Sequence, residues 1–379
     1  MRASILSGIS ALILIASGAA AVAQSPACKP TVEGPIPVTA TSKIYSRVEL
    51  PKAGAVEEEF FVSCDVTAGH YKTLIHVRLP KPPVKQSGIV VAEPWHPGNT
   101  WSVYSKTSEY DARAGHVAIA IVANPMIIER FIKTADPTRY ASLVLPKGAG
   151  IKTGSTMQDQ TEFEVLGQVG ALIKSGGIPG INPRKVILGG MSQTGGVVRG
   201  YIGFEHARPG AKSVYDAYFP AQSAKSSYAG PLPDLDVPVV ELQGERELMV
   251  SIDIGDEQIR YRRPDGAGYR LYEVPAMPHG DTRTHPEEAA ESGCTGHTVS
   301  NFPNTYVFGA ALNELVNWVD KGIPAAHVPR IETSNNGHEV VRDAFGNALG
   351  GFRSSYVDVP TATYHALWAD YHIDRKSVV

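Results

Sequence analysis

The sequence is poor in cysteine, in clustered charge and in long apolar runs. Three cysteines in 379 residues cannot build a disulfide framework, so a loop-rich domain held together by bridges is excluded. The 35 basic and 38 acidic side chains nearly cancel, to a formal net charge of -3. With no run of five or more like charges, the electrostatic footprint of a nucleic-acid binder is missing. No apolar segment after the N-terminal region is long enough to cross a bilayer. What is present is a globular composition: 43% apolar and 19% charged residues, with 37 Gly and 28 Pro in no fixed period. That excludes disorder and fibrous repeats and permits a large buried core.

The N-terminal region reads as a leader. Arg2 precedes an apolar stretch from Ile5 to Ile15, followed by Ala21-Val22-Ala23, a small-x-small cleavage pattern. Cleavage before Gln24 would remove residues 1–23 and one positive charge, taking the formal net charge from -3 to -4. The expected location is therefore secreted or periplasmic, with no membrane association after cleavage; a retained anchor is the alternative. An oxidising destination would permit a bridge between Cys28 and Cys64 with Cys294 left over, although sequence does not fix the pairing.

Residues 24–379 read as one domain. Ile44 to Leu50, Glu58 to Cys64 and Thr73 to Leu79 carry β-type residues and suggest antiparallel lead-in strands. Short, nearly continuous apolar runs follow at Gly88 to Ala92, Val117 to Ala123, Lys185 to Leu188, Val214 to Phe219, Val237 to Leu242 and Tyr269 to Val274. Strands covered on both faces by crossover helices have this character. Helical spacing appears between them at Thr161 to Lys174, Gln193 to Ala207 and Thr305 to Asp320. The alternation predicts an α/β fold with a mostly parallel central sheet flanked by helices. Pro125 to Ser155 reads as an insertion, and Pro329 to Val379 as an extension that wraps the body.

The strongest chemical signal is Val186-Ile187-Leu188-Gly189-Gly190-Met191-Ser192-Gln193-Thr194-Gly195-Gly196: a buried strand, a serine among small residues, then a helix. This is the layout of a nucleophile elbow, in which a sharp turn lifts the serine oxygen above the sheet and neighbours must be small. Thr194 stands where glycine is usual. Gly195, Gly196, Gly200 and Gly203 each cost the helix about 1 kcal/mol against alanine, so packing rather than propensity must hold it. The dinucleotide and phosphate-loop patterns do not fit.

A serine hydroxyl needs a base and an orienting acid, expected in the order Ser, Asp/Glu, His. After the strand at Val237 comes Gly244-Glu245-Arg246-Glu247, and after Tyr269 to Val274 comes Pro278-His279-Gly280-Asp281. Glu247 is the preferred acid and Glu245 the alternative, with Asp253 and Asp256 more distant. His279 is preferred as base over His96, His285 and His297 because it alone follows a core strand by a short loop. His279, Asp281 and His285 lack the spacing of a metal site. The oxyanion would need amide donors: Gln193 after the nucleophile, and one of Trp95, His96 or Gly98 after the first parallel strand. Trp95, Trp101, Tyr104 and Phe219 are candidate lining residues for an acyl or aryl pocket.

On Gly190-Met191-Ser192-Gln193-Thr194-Gly195, Pro238 to Leu248 and Tyr269 to His279, the chain resembles the α/β-hydrolase superfamily. Within it, the chain is similar to a branch of secreted bacterial proteins known simply as alpha/beta hydrolase domain proteins. Further carriers are Cys294, Asn301 and Pro303, the tail Arg342 to Asn347, Gly350-Gly351, and Val357 to Thr361. The resemblance implies an eight-stranded sheet and a triad carried onto Ser192, Glu247 and His279. The expected activity is hydrolysis of carboxylic esters, small or polymeric, without a cofactor. The rival readings are an amidase or peptidase using the same residues, and an idle binding protein on the same scaffold. The short Ser-, Gly- and Pro-rich segment between Phe219 and Val237 predicts an open cleft rather than a lid.

Overall fold

The computed structural model describes residues 28–366 apart from 47, 98–100, 154–155, 208–209, 224–230, 254–258, 260, 284–299 and 365. The leader, Cys294, His285, His297, Gly98, Asp256 and residues 224–230 of the segment expected to leave the cleft open lie outside the described residues. So does the end of the tail.

Eleven strands matter for placing the site: β1 (Thr31–Glu33), β2 (Ala55–Val66), β3 (Gly69–Pro80), β4 (Ile89–Pro94), β5 (Val117–Ile121), β6 (Gly150–Thr153), β7 (Thr156–Asp159), β8 (Lys185–Met191), β9 (Ala217–Ala221), β10 (Val239–Gly244) and β11 (Tyr269–Val274). Nine of them form one sheet in the order β1-β2-β3-β5-β4-β8-β9-β10-β11, and β6 and β7 form a separate hairpin. From β5 to β11 every pairing is parallel; β1, β2 and β3 join antiparallel. The expected lead-in is thus present, with one correction. Ile44 to Leu50 forms no strand where it is described, and Tyr45 instead stacks on Trp95 with ring centroids 6.3 Å apart. The third antiparallel strand is Thr31–Glu33, beside which a disulfide joins Cys28 to Cys64 of β2. That short strand makes the sheet nine-stranded where the resemblance implied eight.

Five helices position the site: α1 (Val103–Ala114), α2 (Gln160–Lys174), α3 (Gln193–Glu205), α4 (Glu245–Asp253) and α5 (Asn304–Lys321). Successive strand residues point to opposite faces, so the apolar runs supply two cores. Val90, Val186, Leu188 and Tyr218 pack with Phe163, Val197 and Tyr201 of α2 and α3. Val91, Ile187, Phe219 and Leu242 pack with Val103 of α1 and Phe308 and Leu312 of α5. Fully buried β4 has no polar face because both its faces are covered.

The insertion at 125–155 contains three short helical turns and is anchored at the antiparallel end. Arg139 and Tyr140 both bond the buried carboxylate of Glu59 on β2, at 2.7 Å each. The tail runs along β11, the last strand of the sheet. There Gly266 N–H, Arg330 Nη1 and Phe352 N–H donate to the carbonyls of Tyr269, Leu271 and Glu273 at 3.1, 2.5 and 2.6 Å. Phe352 stacks on Tyr272 at 5.2 Å.

Candidate active site

Strand β8 ends in Met191, and the chain turns at Ser192 with φ 58° and ψ −122°, a left-handed conformation that L-residues seldom adopt. The turn is closed locally. Ser192 N–H donates to Ala221 O of β9 at 3.0 Å. The Thr194 hydroxyl accepts from Met191 N–H at 3.0 Å and donates to Met191 O at 2.9 Å. This explains threonine at a position where glycine is usual: its side chain satisfies both backbone groups of the residue before the serine. The close approach falls one residue later, at Gly195, where an added Cβ would lie 2.6 Å from Ala221 O. Gly190 is equally constrained, since a Cβ there would collide with the Thr194 carbonyl.

Ser192 Oγ lies 2.8 Å from His279 Nε2, and His279 Nδ1 lies 2.7 Å from Glu247 Oε1. Glu247 stands in the first turn of α4, directly after β10, and its other oxygen accepts from Gly244 N–H at 3.1 Å. Arg246 Nη1 reaches the same carboxylate at 3.2 Å. The structure therefore brings Ser192, His279 and Glu247 together and turns Glu245 elsewhere. Glu245 accepts from Ala276 N–H at 2.7 Å and from Arg342 of the tail at 2.8 Å.

Burial pushes the Glu247 carboxyl up, but the hydrogen bond and charge of His279, with Arg246, outweigh it and hold the group below the ordinary carboxylate value. Burial holds His279 below the ordinary imidazole value. Arg246 and Lys106 press in the same direction, against the pull of Glu247.

The loop carrying His279 is fixed by residues with no sequence signature. Gln222 Nε2 and Asn304 Nδ2 both donate to Pro278 O, at 2.7 and 3.1 Å. Gln222 (φ 46°) and Ala276 (φ 66°), like Ser192, have positive φ. Beyond the histidine, Asp281 Oδ2 pairs with Lys106 Nζ of α1 at 3.1 Å, both side chains fully buried. The Trp101 ring stacks on the imidazole with centroids 5.3 Å apart and planes 25° apart.

The Gln193 N–H stands at the first position of α3, where no intrahelical acceptor exists. Trp95 is corrected as an oxyanion donor: its N–H is committed to Ile121 O at 2.8 Å, because the strand pairing of β4 with β5 continues one residue past Pro94. Its ring stacks on His76 within the core, which also removes it as a lining residue. His96, the next residue, is half-buried. The following loop returns to α1, whose first amides, Val103 and Tyr104, donate to Glu93 at 2.7 and 3.2 Å. Burial raises that carboxyl to about 7, against those bonds and the nearby Arg78 charge.

Two expected lining residues are core residues instead. Tyr104 is buried with its ring under the Arg78 guanidinium, 4.4 Å away. Phe219 is fully buried, edge-on to Phe308 of α5 at 6.2 Å. Both sit where helix and sheet close on each other, so their rings face the interior. Trp101, half-buried, is the one of the expected aromatics placed against the imidazole. Among the described residues, no group of three His, Cys, Asp or Glu side chains could hold a metal ion. No described helix is long and apolar enough to cross a membrane.

A family profile described as "Alpha/beta hydrolase domain" matches residues 32–373. No curated protein matches the chain. Similar solved structures include an a/b serine hydrolase without lid from Xanthomonas campestris, at 11% identity and TM-score 0.37, covering 73% of this chain and 99% of that one. A glucuronoyl esterase of carbohydrate esterase family 15 from Caldicellulosiruptor kristjansonii has 13% identity and TM-score 0.35, with 73% and 81% covered. A dienelactone hydrolase from Anabaena variabilis has 19% identity and TM-score 0.32, with 57% and 85% covered.

Proposed function

The chain belongs to the alpha/beta hydrolase domain family, and from that premise we propose that it is an exported serine hydrolase that cleaves carboxylic esters through an acyl-enzyme. The observation that carries the reading is the hydrogen-bonded line Ser192 Oγ, His279 Nε2, His279 Nδ1, Glu247 Oε1. In it the serine is held out of the strand by its left-handed turn.

In this mechanism Ser192 Oγ attacks the ester carbonyl carbon while His279 Nε2 takes the hydroxyl proton. Glu247 holds Nδ1–H, fixes the tautomer and stabilises the imidazolium that forms. The oxyanion is met by the Gln193 N–H together with a donor from the loop after β4, for which His96 remains the candidate. As the carbon–oxygen bond to the alcohol breaks, the imidazolium returns its proton to the departing oxygen. Water then repeats the sequence on the acyl-serine, and the acid leaves with the enzyme regenerated.

The substrate class is an ester, small or polymeric, that reaches the half-buried Ser192 beside the Trp101 ring. Export is supported by the leader pattern at 1–23 and by the Cys28–Cys64 disulfide, a bond that persists in oxidising compartments.

The test is a substrate panel of matched esters and amides on the purified protein beside its Ser192→Ala variant, with fluorophosphonate labelling of both. Ester turnover that is lost by about a thousandfold or more in the variant supports the reading. Preferential amide turnover moves it to the amidase class. A folded protein whose Ser192 ignores the probe replaces it with the binding-protein reading.

A further inference from the structure

We propose that Lys106 and Asp281 are positioning residues for His279: their buried ion pair ties the histidine loop to helix α1 and seats the imidazole against Trp101. The inference rests on reading His279 as the base.

Asp281 lies two residues past His279 and spends both of its oxygens. One accepts from Arg283 N–H at 3.0 Å, fixing the loop's own turn; the other meets Lys106 Nζ at 3.1 Å. Both side chains have no exposed surface. The carbonyl of Pro278, on the other side of the histidine, is held by Gln222 and Asn304. His279 is thus gripped on both flanks, by neutral amides before it and by an ion pair after it.

The ion pair reaches the ring as well as the backbone. Trp101 immediately precedes Ser102, the cap of α1, and Lys106 lies on that helix's first turns. The Lys106 ammonium sits 5.8 Å from the centre of the Trp101 ring, which stacks on the imidazole. A contact needed only for packing would be served as well by apolar side chains, because burying two charges offsets most of their attraction. What an ion pair adds is fixed direction and a charge beside the base.

Among the described residues, the charges acting on His279 are Glu247 and Arg246 of α4 and Lys106 of α1, with Asp281 of its own loop paired to Lys106 and the Ser192 hydroxyl at Nε2. Lys106 disfavours the imidazolium, and Asp281, of opposite sign and 3.1 Å from the Lys106 ammonium, is expected to oppose it. Removing the cation leaves a buried carboxylate near the ring and favours its protonation; removing the carboxylate does the reverse. The two single substitutions therefore displace the base in opposite directions, an outcome that lost packing alone does not produce.

The experiment measures the rate of Ser192 inactivation by a fluorophosphonate from pH 4 to 9 on the full chain. The wild-type protein is compared with Lys106→Met, Asp281→Asn and the double variant. The expected result is an acid-side midpoint raised by about half a unit or more in Lys106→Met and lowered in Asp281→Asn. In the double variant, which carries no unpaired charge, it returns toward wild type with a slower maximal rate. Midpoints that stay within error of wild type, or move the same way in both single variants, overturn the proposal. If the wild-type protein itself fails to label at Ser192, or labels without an acid limb, it is the assignment of His279 as base that fails. Circular dichroism on each variant separates unfolding from either outcome, and the double variant supplies the comparison should a single variant not fold.

Discussion

Ser192 Oγ and His279 Nε2 lie 2.8 Å apart although 87 residues separate them in the chain. Each leaves the carboxyl end of a strand in the same parallel sheet, β8 and β11, with β9 and β10 between them. Strand order brings both to one edge of the sheet, and the loop after β11, held at Pro278 O by Gln222 and Asn304, carries the imidazole back across β10 and β9 to the serine. Glu247 follows β10 at the same edge, where open α/β sheets place their ligands.

The two glutamates of the Gly244 turn have separable roles. Glu247→Gln should lower kcat by about a hundredfold to ten-thousandfold, because an amide cannot hold Nδ1–H as the carboxylate does. Glu245→Gln should keep kcat within about tenfold while lowering stability by about 1–3 kcal/mol, through the weakened bonds to Ala276 N–H and Arg342. Kinetics and urea denaturation of the two variants check this; a larger kcat loss for Glu245→Gln would reverse the assignment.

The pH profile follows from the direction of the histidine shift. The base acts when neutral, and His279 is held below the ordinary imidazole value chiefly by burial. Its neutral form therefore persists below pH of about 6.5. The acid limb of kcat/KM should have its midpoint under that value, and a midpoint above about 7 would contradict the buried setting.

Thr194 offers a test of the elbow. Thr194→Val should cost about 1–3 kcal/mol by leaving Met191 N–H and C=O without the hydroxyl they share. Thr194→Ser should retain most of the stability and activity. Equal behaviour of the two variants in thermal unfolding would show that the hydroxyl does not close the turn.

The disulfide spans 36 residues. Closing a loop of that length removes chain entropy from the unfolded state worth about 3–4 kcal/mol. Cys28→Ala/Cys64→Ala should accordingly unfold at a lower denaturant midpoint with an unaltered pH profile, since the bridge lies on β2, four strand positions away from β8 and Ser192.

How much of this was legible in the sequence varies with the kind of interaction. Buried parallel strands announce themselves as apolar runs, and Tyr269 to Val274 is β11 to the residue. The elbow is legible because a left-handed serine needs small neighbours. The antiparallel lead-in has a weaker sequence signal: Thr31–Glu33 has only three residues and gains its position from β2 and a disulfide, whereas Ile44 to Leu50 has the right residue types but forms no strand where it is described. Helix α1 shows no apolar stripe in the sequence because its buried face includes Lys106, Thr107 and Asp111, and its N-terminus is set by Ser102, Ser105 and Glu93. In the site, residues adjacent to a strand end could be found by position. Gln222, Asn304 and Lys106 act through contacts made by distant segments, and an amide or a lysine carries no local pattern that forecasts this. Tyr104 and Phe219 suit lining by residue type, since aromatics near a cleft suit binding, but each faces the seam between sheet and helix.

The outermost strand of the sheet has its outward carbonyls at Tyr269, Leu271 and Glu273 taken by Gly266, Arg330 and Phe352. An unguarded margin of this sort recruits other polypeptides by β-pairing, so the C-terminal segment serves as a selvedge that keeps the fabric from being extended. A chain stopped before Arg330 loses two of those three guards. Its first failing should be self-association into particles visible by light scattering.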